Sequence, residues 1–255
     1  MCSPEQGSWP ETARRPGKTV DVTSADGSKL PVHIATPEGE GPWPTVVIVH
    51  DYFDPEHFYH ELAARYAGAG YCAVVPSFFH REGALAEQTH EAAGARIGAV
   101  SDDGVFEDIA ATLVHLDTEG ISTDLALTGF CWGGRATYLV GARFPQFRVL
   151  LPFYGFFVAW SGPDGPKPYA PMDEVDRISA PVIGAYGATD DSIPHAEVVE
   201  MERRLIGRGV AAELTIYDGC PHGFFRLPEC GEQSQQAWDR VLSALHDHVG
   251  TPAVN

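Results

Sequence analysis

Short apolar runs that alternate with helix-length segments constrain this chain more than any other feature. Thr45-Val46-Val47-Ile48-Val49 is unbroken by charge, as expected of a strand covered on both faces. Tyr71–Val75, Leu125–Thr128, Val149–Tyr154, Val182–Tyr186 and Glu213–Tyr217 read as further strands. Between them, residues 55–69, 86–99, 102–119, 134–144 and 195–208 read as helices, and Gln233–Val249 closes the chain. In residues 102–119, Val105, Ile109, Leu113 and Leu116 recur at helical spacing. Thr19–Thr23 and Leu30–Ala35 flank the turn cluster Ala25-Asp26-Gly27-Ser28 and read as an antiparallel hairpin. This alternation implies an α/β domain with a mostly parallel sheet and helices on both faces. Such sheets carry their sites at the carboxyl ends of the strands.

Length and composition place one domain on residues 18–250, after a polar, Pro-rich tail at 1–17 expected to be flexible. The tail lacks a basic stretch followed by an apolar one, so no leader is expected. No run of about 18 apolar residues suggests a membrane helix. The net charge of −18 argues against nucleic acid or an anionic membrane as a partner and reads as a solvated acidic surface. An anionic small molecule would therefore be captured by local arginines. A monomer or weak homodimer is expected. The five cysteines have irregular spacing and form no Cys-x-x-Cys pair, which points away from zinc and from a disulfide framework. A free-thiol chemistry fits a reducing cytoplasm.

The segment Gly129-Phe130-Cys131-Trp132-Gly133-Gly134 follows the apolar run Leu125–Thr128 and precedes a helix. It has the form of a nucleophile elbow with cysteine where serine usually stands. The competing reading is a Gly-rich turn around a buried thiol. A free thiol has a pKa of about 8.5, so a nucleophilic cysteine needs a base, and the base an orienting acid. Asp190 lies in Gly187-Ala188-Thr189-Asp190-Asp191, just after a strand, and His222 lies in Cys220-Pro221-His222-Gly223, just after the last one. Nucleophile, acid, histidine is the chain order of α/β-hydrolases. Asp191 competes with Asp190, which is nearer the strand end. His57 and His60 are three apart without a third ligand, so no metal is expected. No Gly-x-Gly-x-x-Gly or phosphate-binding loop is present, so no nucleotide cofactor is expected either. Cys220, two residues before His222, reads as packing.

On these motifs the chain resembles the dienelactone hydrolase family over residues 18–250. The shared signatures are Gly-Phe-Cys131-x-Gly-Gly, Gly-x-x-Asp190-x-x-Ile-Pro194, and His222 followed four residues later by Arg226. The resemblance implies an α/β-hydrolase fold, no cofactor, and a small lactone or ester as substrate, opened through a cysteinyl acyl-enzyme. It implies Cys131 as nucleophile, His222 as base and Asp190 as its orienting acid. Asp51 corresponds to the family's strand-end carboxylate, which helps to generate the thiolate. Arg81 and Arg226 resemble the residues that hold a substrate carboxylate, for which a planar guanidinium is well shaped. The backbone N–H groups of Tyr52 and Trp132 would form the oxyanion hole.

The chain departs from the family pattern with Asp51 in place of Glu, Asp54 in place of Gly and Ser77 in place of Asp. The loop 155–170 is rich in aromatics (Phe156, Phe157, Trp160, Tyr169). These cover the core or widen a pocket for a larger, flatter substrate. Two further readings stay open at this stage. One is an acyl transferase or lactone-forming enzyme on the same fold; the other is a non-catalytic ligand-binding protein.

Overall fold

A computed structural model describes residues 15–56, 58–87, 89–162 and 164–250. Most of the expected tail, including Cys2, and His57 lie outside the described residues. The elements run β1 (Lys18–Thr23), β2 (Lys29–Ala35), β3 (Trp43–Val49), α1 (Phe58–Gly68), β4 (Cys72–Pro76), α2 (His90–Ala99), α3 (Asp102–Thr118), β5 (Ser122–Phe130), α4 (Trp132–Gly141), β6 (Phe147–Phe153), α5 (Pro171–Glu174), β7 (Val182–Gly187), α6 (His195–Gly207), β8 (Ala212–Tyr217) and α7 (Gly231–Val249). The strands form one eight-stranded sheet in the order β1-β2-β4-β3-β5-β6-β7-β8. The hairpin β1–β2 joins antiparallel, β2 pairs antiparallel with β4, and every later pair is parallel.

The hydrophobic pattern accounts for this order. Val46, Val47, Ile48 and Val49 of β3 are fully buried, because β3 sits mid-sheet with helices on both faces. The edge strand β1 instead exposes Lys18, Thr19 and Asp21 and buries Val22, as a strand with one wet face must. Among the helices, α1 and α7 meet through Tyr66 and Trp238, whose ring centroids are 4.8 Å apart. On the other face α4 packs on β5 and β6 beside α3.

Two helices start three or more residues later than the sequence reading. Helix α1 begins at Phe58 rather than Pro55, because residues 51–56 form a loop that Tyr59 ties back: its hydroxyl accepts a hydrogen bond from the Asp51 amide at 3.0 Å. Helix α2 begins only at His90, where the Thr89 side chain caps the Ala92 amide. The short helix α5 was not expected from sequence. No helix among the described residues is long and apolar enough to cross a membrane.

Candidate active site

Cys131 stands alone between the end of β5 and the start of α4, at φ 57° and ψ −114°. A non-glycine residue with positive φ costs on the order of 1–3 kcal/mol and persists only where its surroundings impose it. Here they do. The Cys131 amide donates to the Phe153 carbonyl at 3.0 Å, and the Cys131 carbonyl receives the Arg135 amide at 3.1 Å. Gly133 has no room for a side chain: a methyl there would lie 2.2 Å from the Val49 carbonyl oxygen and 2.5 Å from that of His50. The elbow is thus pressed against the end of β3. Cys131 is 7% exposed. Trp132 opens the helix, so its N–H is one of those with no intrahelical acceptor.

The ends of β7 and β8 are stitched together. Ala188 N–H donates to the Tyr217 carbonyl and Thr189 N–H to the Cys220 carbonyl, both at 2.9 Å. Gly187 makes this possible, since a methyl there would stand 2.3 Å from the Cys220 oxygen. The stitch brings Asp190 to His222, with Oδ2 2.7 Å from Nδ1, both residues buried. The other Asp190 oxygen accepts the Ser192 amide at 2.8 Å, which fixes the carboxylate plane. Asp191 is exposed. Tyr154, next in the chain after Phe153, turns its ring edge toward His222 with centroids 5.1 Å apart. Tyr154 also has positive φ, 37°. The elbow and the imidazole therefore share one strained neighbour.

The loop after β3 is held from several sides. His50 is fully buried, and its Nε2 accepts the Phe78 amide at 3.1 Å. Nε2 therefore carries no proton, and Nδ1–H donates to the Asp51 carbonyl at 2.7 Å. Burial pushes the His50 pKa down from 6.5 to about 4. Arg96 donates to the Tyr52 carbonyl at 3.1 Å and pairs with Asp54. The buried Asp51 carboxylate accepts the Phe53 amide on Oδ1 at 3.0 Å, and its Oδ2 lies 3.1 Å from Arg226 Nη2. No hydrogen-bond donor among the described residues is aligned on that Oδ2, so the pair is held by charge. The Arg226 guanidinium lies over the Phe58 ring at 4.0 Å and near Tyr59 at 4.9 Å. His50, Tyr59 and Arg96 were not singled out from the sequence. His50 had a signal, since it directly follows the buried run of β3; the others come from separate helices.

Arg81 calls for a correction. Its guanidinium is taken up by Asp26, Asp108 and Ser24 near the hairpin edge of the sheet. Nε donates to Asp26 at 2.7 Å, and the two terminal nitrogens donate to Asp108 at 2.9 and 3.0 Å and to the Ser24 hydroxyl at 3.0 Å. His80 completes the cluster, 3.1 Å from Asp108. This network ties the hairpin turn to α3 and gives Arg81 a structural task.

The aromatic loop divides in two. Phe157 is buried against Tyr138 and Tyr186, and Tyr169 packs on Phe106 beneath Arg143. Phe156 instead lies 5.3 Å from the His222 ring, and Trp160 stands edge-on to Phe156 at 5.1 Å. Cys220 and Cys230 are both buried, and burial pushes the Cys220 thiol pKa up to about 12. His60 stacks on His33 at 3.7 Å, and no metal-ligating cluster of three occurs among the described residues.

Comparison with known proteins bears on this arrangement. Residues 30–249 match the model of the dienelactone hydrolase family. A Yersinia pestis protein named "Putative carboxymethylenebutenolidase" is 32% identical over 231 residues, covering 88% of this chain and 86% of its own length. A Methylorubrum extorquens protein of the same name is 30% identical, covering 87% of this chain and 78% of that one. Among solved structures, a Klebsiella pneumoniae protein described as a "Putative Dienelactone Hydrolase" superposes with a TM-score of 0.84 at 29% identity, over 91% of this chain and 98% of the other.

Proposed function

We propose a cysteine mechanism for this chain, which belongs to the dienelactone hydrolase family and is a hydrolase of lactones or carboxylic esters. The pairing of Asp190 with His222 at 2.7 Å, beside an elbow that holds Cys131 at positive φ, carries the reading. Asp190 accepts a hydrogen bond from the Nδ1–H of His222 and so leaves Nε2 as the basic nitrogen. Nε2 removes the Cys131 proton, and the thiolate attacks the carbonyl carbon. The oxyanion is met by the backbone N–H groups of Trp132 and Tyr52. Collapse breaks the C–O bond, and the departing oxygen takes the proton back from His222; in a lactone it stays tethered to the acyl group. His222 then deprotonates water, which attacks the thioester and returns Cys131 as a thiol. One water is consumed, and the free thiol suits a reducing compartment such as the cytoplasm.

The substrate in this reading is small and carries a carboxylate, which Arg226 receives. Asp51 already neutralises Arg226, so an incoming carboxylate competes with it. The Asp51 carboxylate released in that exchange helps His222 to generate the thiolate as substrate binds, which couples activation to the right ligand. A carboxylated dienelactone and its methyl ester test both parts. Cys131→Ala is expected to abolish turnover of either. Arg226→Lys is expected to lower kcat/KM at least tenfold for the acid and less for the ester, because an ammonium lacks the bidentate fork. Full activity in Cys131→Ala sinks the cysteine mechanism, and equal losses on both substrates remove the carboxylate from the reading.

A further inference from the structure

We infer that Phe156 and Trp160 form a shelf for an aromatic leaving group, which makes Trp160 a specificity-determining residue of the hydrolase. The inference deepens the cysteine reading above and rests on it. In that mechanism His222 hands its proton to the departing oxygen, so the leaving group must lie against the imidazole. Phe156 flanks that imidazole, with centroids 5.3 Å apart and planes 38° apart, and Trp160 extends the surface outward. Among the described residues, the large apolar side chains left exposed are Val114, Val158, Trp160, Val199 and Ile206. Trp160 is the aromatic member of that set, and it packs on Phe156, the ring that lies against His222.

The shelf is built rigidly. Arg135, fully buried on α4, donates to the Val158 carbonyl at 3.1 Å and the Tyr169 carbonyl at 2.5 Å while paired with Asp102 at 2.6 and 2.9 Å. The same guanidinium lies 5.7 Å from the Trp160 ring centroid. Lys167, 3% exposed, donates to the carbonyls of Ile97 and Val100, and its own carbonyl receives the amides of Trp160 and Ser161 at 3.1 Å. Two buried cations thus fix a loop that leaves one aromatic ring, the Trp160 indole, exposed. A rigid π-face presents little entropy to lose on stacking and favours flat rings over alkyl chains. The shelf therefore selects by shape and π-surface, not by charge.

The test compares kcat/KM for phenyl acetate, 2-naphthyl acetate and phenyl butyrate in wild type, Trp160→Ala, Trp160→Phe and Cys131→Ala. Wild type is expected to prefer the naphthyl ester. Trp160→Ala is expected to lower the naphthyl-to-phenyl ratio about three- to tenfold, the range of one aromatic contact, and Trp160→Phe to keep most of it. The butyrate-to-acetate ratio, which reports the acyl side, is expected to stay constant across the Trp160 variants. An unchanged naphthyl-to-phenyl ratio in Trp160→Ala, with hydrolysis still dependent on Cys131, overturns the shelf and leaves the cysteine mechanism standing. Hydrolysis that persists in Cys131→Ala overturns both.

Discussion

Lowering the pH is expected to loosen the loop that carries Asp51 and Tyr52, with His50 as the responsible group. The folded imidazole must stay neutral, because its Nε2 accepts the Phe78 amide. Protonation would set one N–H against another in a site without solvent. Unfolded, His50 takes up its proton near 6.5; folded, only near 4. Its contribution to stability is therefore complete above pH 6.5 and is lost as pH falls through 4. Integrated over that window the loss is about 3 kcal/mol at pH 4. His50→Asn isolates it. An asparagine amide can still donate to the Asp51 carbonyl but leaves the Phe78 N–H without an acceptor, which costs about 1–3 kcal/mol at pH 7.5. Urea unfolding of both proteins between pH 7.5 and 4 is the assay. The wild-type advantage is expected to shrink to nothing or invert by pH 4. Parallel curves for the two proteins would refute the assignment of the acid loss to His50.

Three other changes separate the proposed catalytic role of Asp190 from the structural roles of Arg81 and Gly187. Asp190→Asn is expected to leave the fold intact and cut kcat by about 10³–10⁴, since the amide turns the imidazole toward the wrong tautomer; steady-state kinetics with a circular dichroism check reads this out. Arg81→Ala is expected to cost about 3 kcal/mol in urea unfolding by stranding the buried Asp108, while the preference for carboxylated over neutral substrates stays as in wild type. Gly187→Ala is expected to lower both stability, by about 1–3 kcal/mol, and kcat, because its methyl pushes on the Cys220 carbonyl and so on the His222 loop; Tm and kcat measured together check it.

The parts of this molecule that were legible in the sequence are those written in local chemistry. The buried run Thr45–Val49, the glycines around Cys131 and the placement of Asp190 and His222 after strands each constrain the backbone nearby. The β5–elbow–α4 unit follows from such signals alone. What stayed hidden depends on partners far apart in the chain. Arg81 has the same local setting whether it faces a ligand or Asp108, 27 residues on, and only packing of α3 against the hairpin decides. The choice between Asp190 and Asp191 is likewise made by the stitch between the ends of β7 and β8. The late start of α1 has the same origin, because Tyr59 must reach back to the Asp51 amide. The aromatic loop carried two readings that local sequence does not separate, and packing divides it: Phe157 is core, and Phe156 lies against His222.

The cysteinyl acyl-enzyme is the centre of the account, and rapid-quench intact mass spectrometry meets it most directly. Wild type and Cys131→Ala would be mixed with 2-naphthyl acetate, acid-quenched within milliseconds to seconds, and digested to locate any adduct. The account expects a transient acetyl group on wild type, confined to the peptide containing Cys131 and absent from the variant. Turnover without any adduct on that peptide, or an acetyl group that still forms and decays in Cys131→Ala, would contradict it.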